Sequence, residues 1–302
     1  MEYKEFVDKI LAELKEFYGQ DAEVSIDNIL ENNGKRRDVL CIRYTEKEEI
    51  MTPIIYLDHF FAMYLLGDED YDHCVEKIIQ MREVGEADCA LSERIKGILD
   101  WDNVKDFVYP VLISASENEE FLTKFVYTAF LDLAVVYEVR VDHENGTASS
   151  KISNGMLKLY GVSREELHSQ ALENMEKDSY QMEDILDLLE NRDPMCVEKD
   201  ISEVSENEYG KMYVLSNARR RWGAAVLLNQ KFLKEHLGSR RYYILPSSIH
   251  EVIIVPATEE MDSRELSAIV EEINRSQVAP SEWLSNHCYV FEGASGKIES
   301  CA

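Results

Sequence analysis

Apolar residues recur at helical spacing near the start of the chain. Between residues 4 and 18 they stand three or four positions apart, and Gly19 follows as a stop signal. Ser163 and Glu166 have the spacing of a capping box, which predicts a helix over 163–175. The same periodicity predicts further helices at 58–66, 71–84, 117–129, 154–160, 182–189, 231–237 and 262–274.

Short apolar or alternating runs between turn residues predict strands. These runs lie at 38–44, 50–56, 107–113, 131–141, 211–215, 224–228, 241–245, 251–255 and 288–291. Residues 22–30 fit either a short strand or a helix. The small and polar residues from Gly293 onward predict a frayed tail.

Helical and strand patterns follow one another without a regular alternation. This mixture favours an α+β fold, with small, mostly antiparallel sheets and flanking helices, over a doubly wound sheet. A chain of 302 residues suggests two domains at roughly 150 residues each. A mostly polar stretch over 85–106 predicts an N-terminal α+β subdomain at 1–106 and a C-terminal α+β domain at 107–302.

Charge is the most extreme global property of the chain. It has 59 acidic and 32 basic side chains, a formal net charge of −27, which disfavours nucleic acids and anionic membranes as partners. Neither a membrane-spanning apolar run nor a signal-peptide core is evident, so we predict a cytoplasmic protein. The six cysteines have wide, irregular spacings and are expected to be reduced thiols.

Compact catalytic and cofactor motifs fail at positions that their chemistry requires. Gly293–Lys297 resembles a phosphate-binding loop, but Phe291 stands where the first glycine belongs and Ile298 where a Ser or Thr belongs. His250 and Glu251 begin an H-E-x-x-H pattern that Ile254 interrupts. We therefore predict no metal site and no cofactor.

The segment Ser247–Glu251 is the strongest catalytic candidate. Ser247 and Ser248 supply hydroxyls, His250 supplies an imidazole and Glu251 a carboxylate, which are the nucleophile, base and orienting acid of a hydrolase. Consecutive strand residues point to opposite faces, however, so neighbours in sequence seldom meet in this way. The alternative is a structural turn in which Pro246 fixes φ and the serines bond local amides.

The densest basic cluster is Arg219, Arg220, Arg221 and Trp222. Arginines on a loop can bind phosphate or carboxylate, and Trp222 can stack on a base or a guanidinium, so the cluster is an anion-site candidate. The alternative is a solvated loop whose arginines pair with the protein's own acids.

Five segments carry a resemblance to a known family: Asn32–Asp38, Thr52–Leu57, Leu215–Asn217, Gly223–Ala225 and Leu245–Val252. They resemble a family of hypothetical proteins from gut anaerobic Firmicutes that is catalogued as a domain of unknown function, and the resemblance covers nearly the whole chain. Asp58 stands where asparagine is usual. The run from Phe107 to Met175 also distantly resembles a second uncharacterised Firmicutes family. Neither resemblance implies a catalytic residue.

Three functions follow as hypotheses. The first is a non-catalytic cytoplasmic binding or regulatory protein, which acts through its acidic surface on a protein with a basic face. The second is a hydrolase-type enzyme that uses the segment Ser247–Glu251. The third is an acidic mimic that occupies a basic surface on its partner. The absence of a compact catalytic motif favours a protein that is not an enzyme.

Overall fold

The computed structural model describes residues 1–46, 52–87, 97–143, 146–190, 211–246, 248–258 and 261–301. The chain forms two compact units. The first contains residues 1–31, 35–104 and 141–148, and the second contains 32–34, 105–140 and 149–302. The domain boundary near residue 106 stays a prediction, because compactness alone does not show that each part folds by itself.

The first unit is built on a three-stranded antiparallel sheet in the order β1-β2-β3. Its described elements are α1 (Tyr3–Tyr18), β1 (Ala22–Leu30), β2 (Arg36–Tyr44), β3 (Ile54–Tyr56), α2 (Leu57–Leu66), α3 (Tyr71–Ala87) and α4 (Trp101–Val104). The core joins the apolar face of α1, including Phe6, Ile10 and Leu14, to buried residues of the sheet and of α2 and α3. Residues 22–30 therefore form a strand, because alternate residues there pack on this core.

The second unit includes strands of a four-stranded sheet centred on β6. β4 (Val108–Ser114) and β5 (Tyr127–Phe130) pair with β6 (Leu133–His143) in antiparallel fashion, and β7 (Gly146–Lys151) pairs with β6 as well. A short helix, α5 (Glu119–Leu122), lies between β4 and β5. Residues 133–141 are buried throughout, so β6 is the central strand of this sheet.

A six-stranded antiparallel sheet completes the second unit, in the order β13-β12-β10-β11-β9-β8. Its strands are β8 (Tyr180–Asp184), β9 (Tyr213–Asn217), β10 (Arg241–Leu245), β11 (Val252–Pro256), β12 (Tyr289–Glu292) and β13 (Lys297–Ser300). The other described helices of this unit are α6 (Asn154–Tyr160), α7 (Arg164–Met175), α8 (Ile185–Glu190), α9 (Gln230–Leu237) and α10 (Ser263–Gln277). α7 packs on β4 of the four-stranded sheet, whereas α8 contacts β8 and α10 contacts β10 of the six-stranded sheet. The α+β class, with antiparallel sheets and helices, is confirmed.

Four predicted elements are wrong. Residues 117–129 do not form one helix, because α5 ends at Leu122 and Tyr127–Phe130 forms β5. β5 pairs with β6 across a tight turn at Leu131, where φ is +56°. Residues 180–184 form strand β8 before α8 begins, so the helix predicted at 182–189 starts late. In both places, pairing with a neighbouring strand overrides local helical periodicity.

The other two errors concern residues 224–228 and the tail. Gly223–Leu228 is a 3-10 helix whose first five residues are buried, and a short apolar run cannot by itself distinguish a buried strand from a buried helix. Residues 297–300 do not fray, because they form β13 and pair with β12. The pairing gives hydrogen-bond partners to the backbone N–H and C=O groups of the tail, and the composition of the tail does not predict this pairing.

Candidate functional site

The chain after β9 forms a tightly braced loop, residues 218–222, which we call the Arg–Trp loop. The Asn217 side chain donates from Nδ2 to the carbonyl oxygen of Arg221 at 2.8 Å and accepts at Oδ1 from the Arg221 N–H at 3.2 Å. Arg220 and Trp222 have φ values of +48° and +59°, a region that favours glycine. Two such residues in one short loop show that the surroundings hold it in a strained conformation.

His250 is one of the groups that hold this loop. The backbone N–H of Trp222 donates to Nδ1 of His250 at 3.1 Å, and the Trp222 and His250 ring centroids are 5.3 Å apart. The hydroxyl of Ser216, on β9, donates to the carbonyl oxygen of His250 at 2.7 Å. The structure therefore brings together two candidate segments that the sequence analysis treated separately.

Gly223 makes this close approach sterically feasible. A Cβ at this position would overlap both the Ser216 hydroxyl and the His250 carbonyl oxygen, and it would lie 2.7 Å from the backbone nitrogen of Asn217. Backbone and side-chain atoms of two segments, the end of β9 and the turn at His250, thus fill the space where any other residue would place its side chain. The contact between the Arg–Trp loop and the turn at His250 is therefore tightly packed at Gly223 and leaves no open cleft there.

The hydrogen bond at Nδ1 defines the protonation state of His250. Because Nδ1 accepts the hydrogen bond of the Trp222 N–H, the neutral ring carries its proton on Nε2. Nε2 lies 3.7 Å from the carboxylate of Glu282. Burial lowers the pKa of His250, Glu282 acts to raise it and Arg221 lowers it further, so that it lies below the ordinary value. The imidazole is therefore neutral at pH 7, as its acceptor role requires.

The remaining residues of the catalytic candidate close a local turn. Ser248 Oγ accepts from the backbone N–H of His250 at 3.0 Å, and the Ser248 N–H donates to the Glu251 carbonyl oxygen at 3.3 Å. Burial raises the pKa of Glu251, Arg220 acts against that rise and Glu183 adds to it. Ser247 lies outside the described residues.

A hydrolytic triad makes different demands on the imidazole. Its base accepts from the nucleophile at Nε2 and donates from Nδ1 to the orienting acid. In the described structure Nδ1 of His250 accepts from Trp222 instead, so this arrangement does not place Glu251 as the acid that orients the ring. The geometry of His250 is that of an anchor for the Arg–Trp loop.

The members of the basic cluster have different surroundings. Arg220 forms an ion pair with Glu183 of β8, and Arg219 is exposed. The guanidinium of Arg221 lies 5.7 Å from the centre of the Trp222 ring and has no carboxylate partner among the described residues. The ammonium of Lys151 lies 4.4 Å from the same ring. Trp222 therefore sits against two cations.

Lys151 connects the loop to a buried ionic cluster that the sequence analysis missed. Glu138 on β6 is 1 % exposed, accepts from Arg140 Nε at 2.7 Å and forms an ion pair with Lys151. Burial acts to raise the pKa of Glu138, but Lys151 and Arg140 outweigh it and hold the pKa below its usual value. The available signal was an acid and a base two positions apart in an apolar strand, which must share one face.

A second cluster that the sequence analysis missed surrounds Asp132. Its carboxylate accepts from Tyr289 Oη at 2.6 Å and Ser285 Oγ at 2.8 Å, and it lies 3.1 Å from His287 Nδ1. Burial acts to raise the pKa of Asp132, but these hydrogen bonds outweigh it and lower the pKa. Ser285 and His287 both bond the carboxylate, and Ser285 Oγ also accepts the His287 backbone N–H. The cluster therefore fastens a loop and is not a serine–histidine relay.

A comparison with models of protein families shows to which family the chain belongs. A model described as "Family of unknown function (DUF5688)" matches residues 3–293. The protein belongs to this family. The comparisons with curated proteins and with solved structures find no match. Both the Arg–Trp loop and the turn containing His250 lie inside the matched range.

Two depressions on the described surface of this family member lie away from His250 and the Arg–Trp loop. Both depressions are in the first unit, one along α1 between Lys9 and Phe17 and one between Leu11 and Ile26. Among the described residues, no three His, Cys, Asp or Glu side chains are grouped closely enough to hold a metal ion. No helix in the described ranges has the length and apolarity needed to cross a membrane.

Proposed function

We propose that the protein is a non-catalytic binding or regulatory protein of the cytoplasm, which acts through its acidic surface on a partner with a basic face. One observation carries the non-catalytic part: the imidazole of the strongest catalytic candidate accepts the Trp222 N–H at Nδ1. An imidazole that accepts this hydrogen bond at Nδ1 stabilises the Arg–Trp loop, and it carries its proton on Nε2, where a general base needs a free lone pair to activate a nucleophile.

The charge of the chain supports the nature of the partner. A net charge of −27 produces a negative field that attracts basic surfaces and accelerates their association. In the described part of the second unit, exposed acids include Glu117, Glu119, Glu120, Glu165 and Glu166. The resemblance noted above supports an origin in gut Firmicutes, and reduced cysteines accord with a cytoplasmic location.

Salt-dependent binding tests the acidic surface. The immobilised protein is exposed to lysate of its native host, and any captured protein is purified and titrated by calorimetry at low salt and at about 0.5 M salt, where the Debye length falls to a few ångströms. We expect a basic partner whose Kd weakens at high salt. A neutral or acidic partner with a salt-independent Kd would contradict the proposal.

The variant His250→Asn tests the absence of catalysis. Asparagine places an amide oxygen near the position of Nδ1 and removes Nε2, so His250→Asn keeps the anchor but removes the base. We expect neither the wild type nor this variant to hydrolyse a panel of esters, amides and phosphoesters. Turnover by the wild type that is abolished in a stably folded His250→Asn variant would establish the hydrolase alternative.

The mimic hypothesis rests on the same charge and differs in one outcome. An acidic mimic occupies the surface with which its partner binds a polyanion, so the two ligands compete for one site. We therefore expect a short DNA duplex to displace the partner only if the protein is a mimic. Simultaneous binding of duplex and protein would exclude mimicry and leave the broader binding function in place.

A further inference from the structure

Two cysteines face each other at the edge of the six-stranded sheet. β12 and β13 pair with Tyr289 opposite Ser300, and one step further along the same register Cys288 stands opposite Cys301. The backbone N–H of Cys301 donates to the Cys288 carbonyl oxygen at 3.0 Å, so the pairing extends to these residues. The amide of Cys288 donates instead to Ser267 Oγ of α10 at 3.1 Å.

This placement suits a disulfide. Directly opposed residues of antiparallel strands have Cα atoms about 4.5–5.5 Å apart, within the range of about 4.4–6.8 Å that disulfides span. Opposed residues also project their side chains from the same face of the sheet. Burial raises the pKa of the Cys288 thiol, and the neighbouring Cys301 adds to that rise. No movement of the strands is therefore needed to bring the two sulfurs together.

The two thiols differ in access. Cys288 is fully buried in a cluster with Tyr243, Leu245 and Val290, whereas Cys301 is only partly buried. Cys41 and Cys74, the other described cysteines, are free thiols in β2 and α3 of the first unit. An oxidant in solution therefore reaches Cys301 first, and Cys288 is positioned to resolve the product.

We propose that Cys288 and Cys301 form an oxidative modification site, which closes to a disulfide by exchange with a low-molecular-weight disulfide such as oxidised glutathione. The Cys301 thiolate attacks one sulfur of the oxidant, forming a mixed disulfide and releasing one thiolate. The Cys288 thiolate then attacks Cys301 Sγ and displaces the second thiolate. The two cysteine protons end on the two released thiols, and the two cysteines are oxidised as the oxidant is reduced.

The bond links β13, the edge strand, covalently to β12. It closes a short loop through the Gly293–Gly296 turn, which restricts the unfolded chain and prevents the edge strand from leaving the sheet. The oxidised protein should therefore be more stable than the reduced protein. The amides of Lys297–Ser300 should also exchange more slowly with solvent after oxidation.

Thiol counting in glutathione buffers tests the site. The purified full chain is equilibrated in reduced or oxidised glutathione, quenched with acid, denatured and titrated with a chromogenic disulfide, and the linked peptides are identified by mass. We expect six thiols after reduction and a loss of two on oxidation, with Cys288 and Cys301 in one linked peptide pair. Cys41→Ser serves as the matched control and should still lose two thiols.

Cys301→Ala leaves the buried cysteine intact and should remain folded. In this variant Cys288 should resist oxidised glutathione and no linked pair should form. The proposal is overturned if the wild-type thiol count does not fall under oxidising conditions. It is also overturned if the linked peptides contain other cysteines, or if the oxidised protein melts no higher than the reduced one.

Discussion

Replacing His250 by alanine tests whether this residue builds structure. The change removes the acceptor at 3.1 Å from the Trp222 N–H and a ring whose side chain is 27 % exposed. A buried donor left without a partner costs about 1–3 kcal/mol. Because water can reach this site in part, we expect the lower half of that range, about 1–2 kcal/mol.

This free energy predicts a measurable shift in thermal stability. One kcal/mol lowers the melting temperature of a domain of 150–250 residues by about 2–4 °C, so the expected decrease is about 2–8 °C. Differential scanning calorimetry measures the shift, and loss of the ordered Trp222 environment should change tryptophan fluorescence before the main transition. The variant His250→Asn should recover most of the lost stability, because its amide oxygen can accept the Trp222 N–H.

Two outcomes would refute this reasoning. If His250→Asn melts as low as His250→Ala, the hydrogen bond at Nδ1 does not provide the stability. If both variants melt with the wild type and a turnover disappears in both, the residue serves chemistry and not the loop. The alanine and asparagine variants therefore separate a structural role from a catalytic one, and the stability measurement needs no substrate.

Three other predictions rest on the same contacts. Because the pKa of His250 is lower in the folded protein, the unfolded chain takes up the proton first as the pH falls. The contribution of His250 to stability is therefore present above about pH 6.5 and declines below it. Urea titrations at about pH 7.5 and about pH 5.5 should show a smaller decline in His250→Asn than in the wild type. Glu138→Gln removes the charge that Lys151 and the buried Arg140 face and leaves Arg140 only its 3.5 Å contact with Asp178, so it should cost about 3 kcal/mol in urea unfolding, the lower end of the range for breaking a buried pair. Glu173→Gln on the exposed face of α7 should be neutral. Gly223→Ala should cost about 1–3 kcal/mol by overpacking, whereas Gly155→Ala in α6 meets only ordinary contacts and should be neutral or stabilising.

Elements with a strong period and a local cap were predictable from the sequence. The capping box of Ser163 and Glu166 is present at the start of α7, and Asp262 caps α10 through the Arg264 N–H. These signals act within one turn of helix, so the local sequence contains all the necessary information. Residues 127–130 and 180–184 become strands only because a partner strand lies beside them, and no local pattern contains that information.

The same distinction explains the candidate site. The sequence identified Ser247–Glu251 and Arg219–Trp222 as unusual, but their contact joins residues 28 positions apart. The antiparallel pairing of β9 with β11 places Leu215 opposite Val252. The residues that follow β9 and those that precede β11 must then meet at the same end of the sheet. Both strands were predicted, but their pairing was not, and the site depends on that pairing.

Some basic side chains of the protein form ion pairs with its own acids. Arg140 and Lys151 are directed to the buried Glu138, and Arg220 is paired with Glu183, so several of the basic side chains are already neutralised by internal partners. A partner that approaches the protein meets exposed acids more often than exposed, unpaired cations. Each ion pair cancels one acid together with one base, so internal pairing leaves the net charge of −27 unchanged, and the field that favours basic surfaces and repels polyanions remains.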